Sequence, residues 1–312
     1  MGKIIMPRYL RSVARDPRVI AAHLVLALIV VAALLAPLAT EPALRQQLSD
    51  SLDPPSLFSA TTTRGALLGT DSLGRDLGAR LLLAIRVSLT VGALAVGVAC
   101  LVGTVLGLLT GYFMGWFDNL VMRIVDALLS LPFVVLAIAI VAAIGPGLVN
   151  VAMVLGLTGW ITFAKLVRGE VLRLRQLPFV EAARGIGCSH LRILFLHIAP
   201  QITGIVLVTI TLTFGQMIIA EATLSFLGLG IPPPTPTLGG ILSGAQDTFF
   251  AAWWIVAFPG ITLMLIVLSV NIIGDFLRDY FDPQINHLSG RKKRKRPAKN
   301  VEVPNRHGIE TR

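Results

Sequence analysis

Six long apolar runs separated by polar segments organise the sequence. Val19 to Ala39 is uncharged and about 20 residues long, the length at which a helix crosses a bilayer. It is also longer than the hydrophobic part of a secretory signal. Val87 to Leu109 makes a second run. A third re-enters after Asp118, Arg123 and Asp126 and reaches about Ile144, with Pro132 as a kink. Gly145-Pro146-Gly147 then reads as a turn, followed by a fourth run from Leu148 to about Ala164. Ile202 to Ala220 is the fifth, and Ile255 to Ile273, containing Pro259, is the sixth. The pattern predicts an all-α integral membrane protein of six transmembrane helices.

Charge orients these runs. Lys3, Arg8, Arg11, Arg15 and Arg18 precede the first, Lys165, Arg168, Arg173 and Arg175 follow the fourth, and Arg291 to Arg296 is an unbroken basic run beyond the sixth. Positive residues favour the cytoplasmic side, so both termini are expected there. The chain divides into a cytoplasmic segment 1–18, a first helix 19–39, an external loop 40–85, a membrane domain 86–275 holding a cytoplasmic loop 178–200, and a basic tail 276–312 expected to be disordered. Glu221 to Ala252 is placed outside, with Trp253 and Trp254 as interfacial anchors.

Composition narrows the class. With 54% hydrophobic and only 14% charged residues, an ordinary soluble domain is excluded. The net charge of +10 invites a nucleic-acid reading, but no aromatic residues interleave the basic run, which suits anionic lipid instead. Cys100 and Cys188 form no disulfide framework.

Several residues inside the runs are candidates for more than anchoring. Ala95, Ala99, Gly103, Gly107, Gly111 and Gly115 recur every four positions, leaving one helix face nearly bare backbone. Such a face packs closely against another helix, within the subunit or across a subunit pair. Arg123 and Asp126 are spaced to pair on one helix face. Thr209, Thr213 and Gln216 form the most polar stripe, suited to bonding their own backbone and neighbouring helices or to lining a translocation path. His23 is the only ionisable residue within the six runs, which argues against an ion-coupled transporter working alone. Neither a Gly-x-x-x-x-Gly-Lys-Ser/Thr nucleotide loop nor a His-Glu-x-x-His zinc motif occurs, and Ile272-Ile273-Gly274-Asp275 lacks the first glycine of an intramembrane protease motif. Leu68 to Asp76 alternates acids and glycines without meeting the ligand positions of a calcium loop.

The polar island Pro178 to Pro200 is the most patterned stretch. Pro178 suits the first turn of a helix, and Phe179, Ala182, Ala183 and Ile186 follow at the spacing of one apolar stripe, with Glu181 and Arg184 on the other side. Gly185 and Gly187 weaken that helix and Ser189 can cap another. On residues alone this is an amphipathic loop between membrane helices or a docking knob.

Glu181-Ala182-Ala183, then Gly187, then Pro200 thirteen positions later resembles the EAA loop of binding-protein-dependent ABC importer permeases. His197 and Ala199 depart from the general pattern, the first in the manner of the peptide-importer branch. Leu68-Gly69-Thr70-Asp71-Ser72-Leu73-Gly74-Arg75-Asp76, Ala220 to Gly230 and Gly274 to Pro283 are similar to the second-permease type of the dipeptide, oligopeptide and nickel importers. The resemblance implies a type I permease fold in the cytoplasmic (inner) membrane, with no cofactor in this chain. It implies a homologous second permease, two ATP-binding subunits carrying ATP and Mg, an external substrate-binding protein and no enzymatic chemistry here. It further implies ATPase coupling through Phe179, Glu181, Ala182, Ala183, Arg184 and Gly187, and a place near the external gate or binding protein for Asp71, Arg75 and Asp76. Dipeptides or oligopeptides are the expected substrates, with nickel, glutathione or another small solute as the alternative. No His or Met cluster in the runs suits a metal path.

Overall fold

The computed structural model describes residues 9, 12–14, 16–56 and 66–281. Lys3, Arg8, Arg11 and Arg15, residues 57–65 of the loop expected to be external, and everything from Asp282 onward, including the Arg291 to Arg296 run, lie outside them. Among the described residues all regular elements are helical, one isolated bridge between Thr70 and Asp76 apart.

Helix α1 covers Pro17–Leu35, with Pro17 in its first turn and the Asp16 carboxylate accepting from the Arg18 amide at 2.9 Å. His23 is satisfied locally: Nδ1 donates to the Val19 carbonyl at 2.7 Å, which leaves Nε2 to accept from the Tyr9 hydroxyl at 2.9 Å.

Helix α2 is Leu77–Phe113, starting ten positions before the expected second run. Asp76 caps it, its carboxylate accepting from the Ala79 amide at 2.9 Å. The charge of Arg80 does not stop the helix, because Arg80 turns toward Asp71 (Nε to Oδ2 3.3 Å). At 37 residues it is roughly 55 Å long, well beyond a hydrocarbon core of about 30 Å. One rigid element therefore joins both sides of the protein.

The third run is not one kinked helix. It is α3, Gly115–Leu129, and α4, Phe133–Ile144, bent by 92° at the break. Ser130 ends α3, its amide bonding back to Asp126 and Ala127, and Pro132 cannot continue the ladder. Neither piece, at roughly 22 and 18 Å, crosses a bilayer alone. Among the described residues five helices are long and apolar enough to cross a membrane, and the count reaches six when the bent pair is taken as one span.

Helix α5 is Leu148–Leu174, ten residues longer than expected, and packs along α2. Helix α6, Pro178–Gly185, is the short helix of the loop. Beyond it a turn at His190–Arg192 and a π-helical segment Ile193–Ile198 lead into α7, Ala199–Phe226. Pro200 lacks an amide hydrogen, so the wider turn falls where a regular helical ladder would be broken. Helices α8, Leu238–Gly244, and α9, Trp254–Phe281, complete the described chain, α9 running past the expected end of the membrane domain.

Close approach of α2 to α5 explains three of the four candidate packing glycines. A Cβ on Gly107 would lie 2.8 Å from the Ala164 carbonyl oxygen and the Val167 Cβ, and one on Gly111 would lie 2.8 Å from the Val171 Cβ. Gly103 meets Trp160 and Phe163 in the same groove, so this packing is intramolecular. Gly115 is a correction: α2 ends at Phe113, and Gly115 follows in the left-handed region (φ 79°) with open space around it. Its regular spacing is fortuitous, since Met114 (φ 54°) has already turned the chain.

Among the described residues no salt bridge joins Arg123 to Asp126. Asp118 on α3 instead takes both nitrogens of Arg168 on α5, Nε to Oδ1 at 2.6 Å and Nη2 to Oδ2 at 2.7 Å. The two parallel, charge-assisted bonds of this forked pair join α3 to α5.

Glu221 is the largest departure. Expected outside, it lies in the continuing α7, fully buried. Its two oxygens accept from Ser225 at 2.7 Å and from Ser88 on α2 at 2.8 Å. His23 is thus not the only ionisable side chain within the spans.

Candidate functional site

Three places gather the chemistry-bearing residues. The first is the 178–200 loop. The expected single stripe divides: Val180 and Ala183 turn inward onto Ile193, Leu194 and Ile198, while Phe179, Ala182 and Ile186 (81% exposed) face out. Glu181 and Arg184 flank that outer face and are both exposed. A helix this short gains its order from the buried pair, so the outer residues are displayed on a fixed frame.

Gly187 ends the frame. It adopts φ 79° while the Cys188 amide bonds back to the Ala183 carbonyl at 3.0 Å, a left-handed cap that a Cβ would strain. Gly187→Ala is expected to cost about 1 kcal/mol, read as faster proteolysis of this loop with the membrane helices intact.

Tyr112, at the end of α2, is buried beneath this loop. Its hydroxyl is 3.0 Å from His190 Nδ1, Arg184 lies over its ring at 5.7 Å, and Arg175 Nη1 donates to its carbonyl at 3.1 Å. The sequence stripe did not point to Tyr112, which is 78 positions from His190. Through it the short helix is tied to the longest one.

The second place lies at the other end of α2. Asp71 is nearly buried, and its carboxylate accepts from the Leu73 amide at 2.9 Å, the Arg75 amide at 3.0 Å and Arg75 Nε at 2.8 Å. Thr70 accepts on its carbonyl from Trp254 Nε1 at 3.1 Å, pinning the loop to α9. Gly69 is required here: at φ 82° a Cβ would come within 2.8 Å of the Asp53 carbonyl oxygen. Asp71, Arg75 and Asp76 thus direct their hydrogen bonds inward, folding the loop and capping α2.

The third place is a cavity of about 420 Å³ between the α3–α4 bend, α5 and α7. Thr213 and Gln216 line it. Thr209 does not; its hydroxyl donates to the Ile205 carbonyl at 2.8 Å, as threonines in apolar helices often do. Thr158 and Thr162 of α5 contribute to the wall and were missed, although their four-residue spacing on the fourth run was a readable signal. Among the described residues no charged side chain lines the cavity, and no group of three or more His, Cys, Asp or Glu is placed to hold a metal.

A bundle of helices long and apolar enough to cross a membrane, with a rigid apolar knob on a loop, defines a multi-pass membrane protein. Residues 103–287 match the family described as "Binding-protein-dependent transport system inner membrane component", and the chain belongs to that family. It is a component of a transport system, not an enzyme. The chain is 38% identical over 285 residues to the di/tripeptide transport system permease protein DppC of Pseudomonas aeruginosa, covering 91% of this chain and 94% of that one. It is 44% identical over 218 residues to the glutathione transport system permease protein GsiD of Pectobacterium atrosepticum, covering 70% and 72%. A solved structure of the MetNI methionine ABC transporter in inward-facing conformations shares the fold at TM-score 0.53 and 18% identity, over 65% of this chain and 96% of that one. The type I permease fold is thereby established.

Proposed function

We propose that this chain is the permease subunit of an ATP-driven importer for dipeptides or oligopeptides in the cytoplasmic membrane, with both termini in the cytoplasm. The observation that carries the reading is the exposed Phe179–Ala182–Ile186 face, held on a frame fixed to α2 and α5. A large apolar side chain on a polar loop, flanked by one acid and one base, suits the groove of a soluble partner. That partner is an ATP-binding subunit, one of two, which carries ATP and Mg. A homologous second permease and an external binding protein complete the assembly.

Mechanically, closure of the ATPases displaces α6, and Tyr112 passes the displacement to α2. Because α2 and α5 interlock at Gly103, Gly107 and Gly111, they move as one body relative to α7. The cavity lies along that boundary, so its opening to either side changes with the nucleotide state.

Glutathione is a second reading, favoured by the 44% identity to GsiD. It is itself a peptide, so the chemistry of the path is common to both. Nickel is disfavoured by the uncharged cavity.

The test is uptake of labelled di- and tripeptides and of glutathione by the whole assembly in proteoliposomes. Glu181→Lys is expected to lower ATP-coupled uptake at least about tenfold, because it reverses the sign beside the docking face. Peptide uptake persisting without the ATP-binding subunits would overturn the importer reading.

A further inference from the structure

Among the described residues, the buried side-chain nitrogens without a hydrogen-bond partner are Nε and Nη1 of Arg80. The Arg80 side chain is only 9% exposed, and these two atoms are closed off from solvent. Its Nε stands 3.3 Å from Asp71 Oδ2, an ion-pair distance with no hydrogen bond across it. That same oxygen accepts from Arg75 Nε at 2.8 Å. Two guanidinium groups thus attend one carboxylate oxygen, and only one of them is bonded to it. An unmet buried donor costs stability and calls for a reason.

The two arginines belong to different parts of the fold. Asp71 is fixed by the backbone of its loop: its amide donates to the Arg75 carbonyl at 3.1 Å, and its own carbonyl accepts from the Leu52 amide at 3.1 Å. Its Oδ1 accepts from the Leu73 and Arg75 amides, so Oδ2 is the oxygen left for exchange. Thr70, beside it, is pinned to α9 through Trp254. Arg75 lies on this loop, with 16% of its side chain exposed. Arg80 lies on α2, whose far end carries Tyr112 and its contacts to the 178–200 loop. The Arg80 contact is 0.5 Å longer than the Arg75 contact (3.3 against 2.8 Å), so a displacement of α2 on that scale is enough to exchange the two.

We propose that Asp71 is a two-position catch for α2, with Arg80 as the residue that positions this helix during transport. In the position seen here Arg75 holds Oδ2. When α2 is displaced, Arg80 donates to that oxygen and Arg75 turns out to water. Asp71 keeps a guanidinium partner in both positions, so the exchange never strands its buried charge. The inference rests on the importer reading above, which supplies the displacement of α2, and deepens it by naming what holds the helix in each position.

The experiment uses the complete importer in proteoliposomes and phenylglyoxal, which modifies guanidinium groups open to water, with mass spectrometry to follow Arg75 and the exposed Arg86 as reference. Wild-type Arg75 is expected to react about fivefold faster with ATP and vanadate than without nucleotide, as the exchanged position gains population. In Arg80→Met its labelling is expected to stay slow in both states, because nothing takes Oδ2 in its place, and ATP-driven uptake of labelled trialanine to fall about tenfold. The same substitution is expected to raise the thermal midpoint of the detergent-solubilised chain by about 3 °C, because it removes the unmet donors and leaves one arginine for one carboxylate. A purely structural Arg80 gives the opposite sign. A lowered midpoint, or a variant that does not fold, would overturn the catch, and so would equal labelling of wild-type Arg75 in the two nucleotide states. Wild-type vesicles that import neither trialanine nor glutathione with ATP would overturn the importer reading itself, a result independent of Arg80.

Discussion

Gly107→Leu is expected to prevent stable folding of the membrane bundle. A Cβ alone would stand 2.8 Å from the backbone oxygen of Ala164 and from the Val167 Cβ. Neither is the end of a flexible side chain, so the strain is relieved only by parting α2 from α5. That separation also loosens the seats of Gly103 and Gly111, which face the same helix. Overpacking usually costs 1–3 kcal/mol, and with backbone on the opposing side the cost is expected above about 3 kcal/mol. Gly97, on the same helix, has open space around it and is the internal control. Gly97→Leu is expected to leave the thermal midpoint of the detergent-solubilised chain within a few degrees of wild type, while Gly107→Leu yields aggregated protein. Equal behaviour of the two variants would show that α2 and α5 do not interlock as described.

The second large effect falls on Asp118→Ala. It leaves the Arg168 guanidinium without its two short bonds, in a place where the carboxylate was nearly inaccessible. Removing one partner from a fully buried pair costs about 3–5 kcal/mol. Arg168 keeps 29% of its side chain exposed, so water recovers part of this and about 2 kcal/mol is expected. The pair, together with Val121 and Val125 packed on Trp160, Ile161 and Ala164, fastens α3 to α5, and α3 carries one wall of the cavity. A cysteine placed on α3 is therefore expected to react faster with a thiol reagent in the Asp118→Ala background. The double variant Asp118→Ala/Arg168→Met, with no stranded charge, is expected to regain thermal stability without regaining the slow labelling. Full recovery of both would mean the pair supplies only charge balance and no positioning.

Local pattern carried much of this protein. Apolar runs report spans because twenty apolar residues have one low-energy place, and the 178–200 island was legible because its Pro, Gly and acid–base spacing acts within a single turn or two. Boundaries were not legible: Arg80 makes the start of α2 look polar, and only the folded chain supplies its partner Asp71 and the Asp76 cap. Within the cavity, Thr213 and Gln216 stood out from the sequence stripe, whereas Thr209 had the same chemistry and the wrong direction.

The sequence by itself determined the long apolar runs, the all-helical class, the basic flanks and the short helix of the 178–200 loop, all of which follow from interactions between residues a few positions apart and from the exclusion of charge from hydrocarbon. Tertiary structure alone decided the burial of Glu221 between Ser88 and Ser225, the fork of Arg168 on Asp118 and the Tyr112 hub. Each depends on which helix faces which. The Ser88 and Glu221 side chains meet across 133 positions of chain, a separation at which local propensity carries no information and only the packed arrangement of helices chooses the partner.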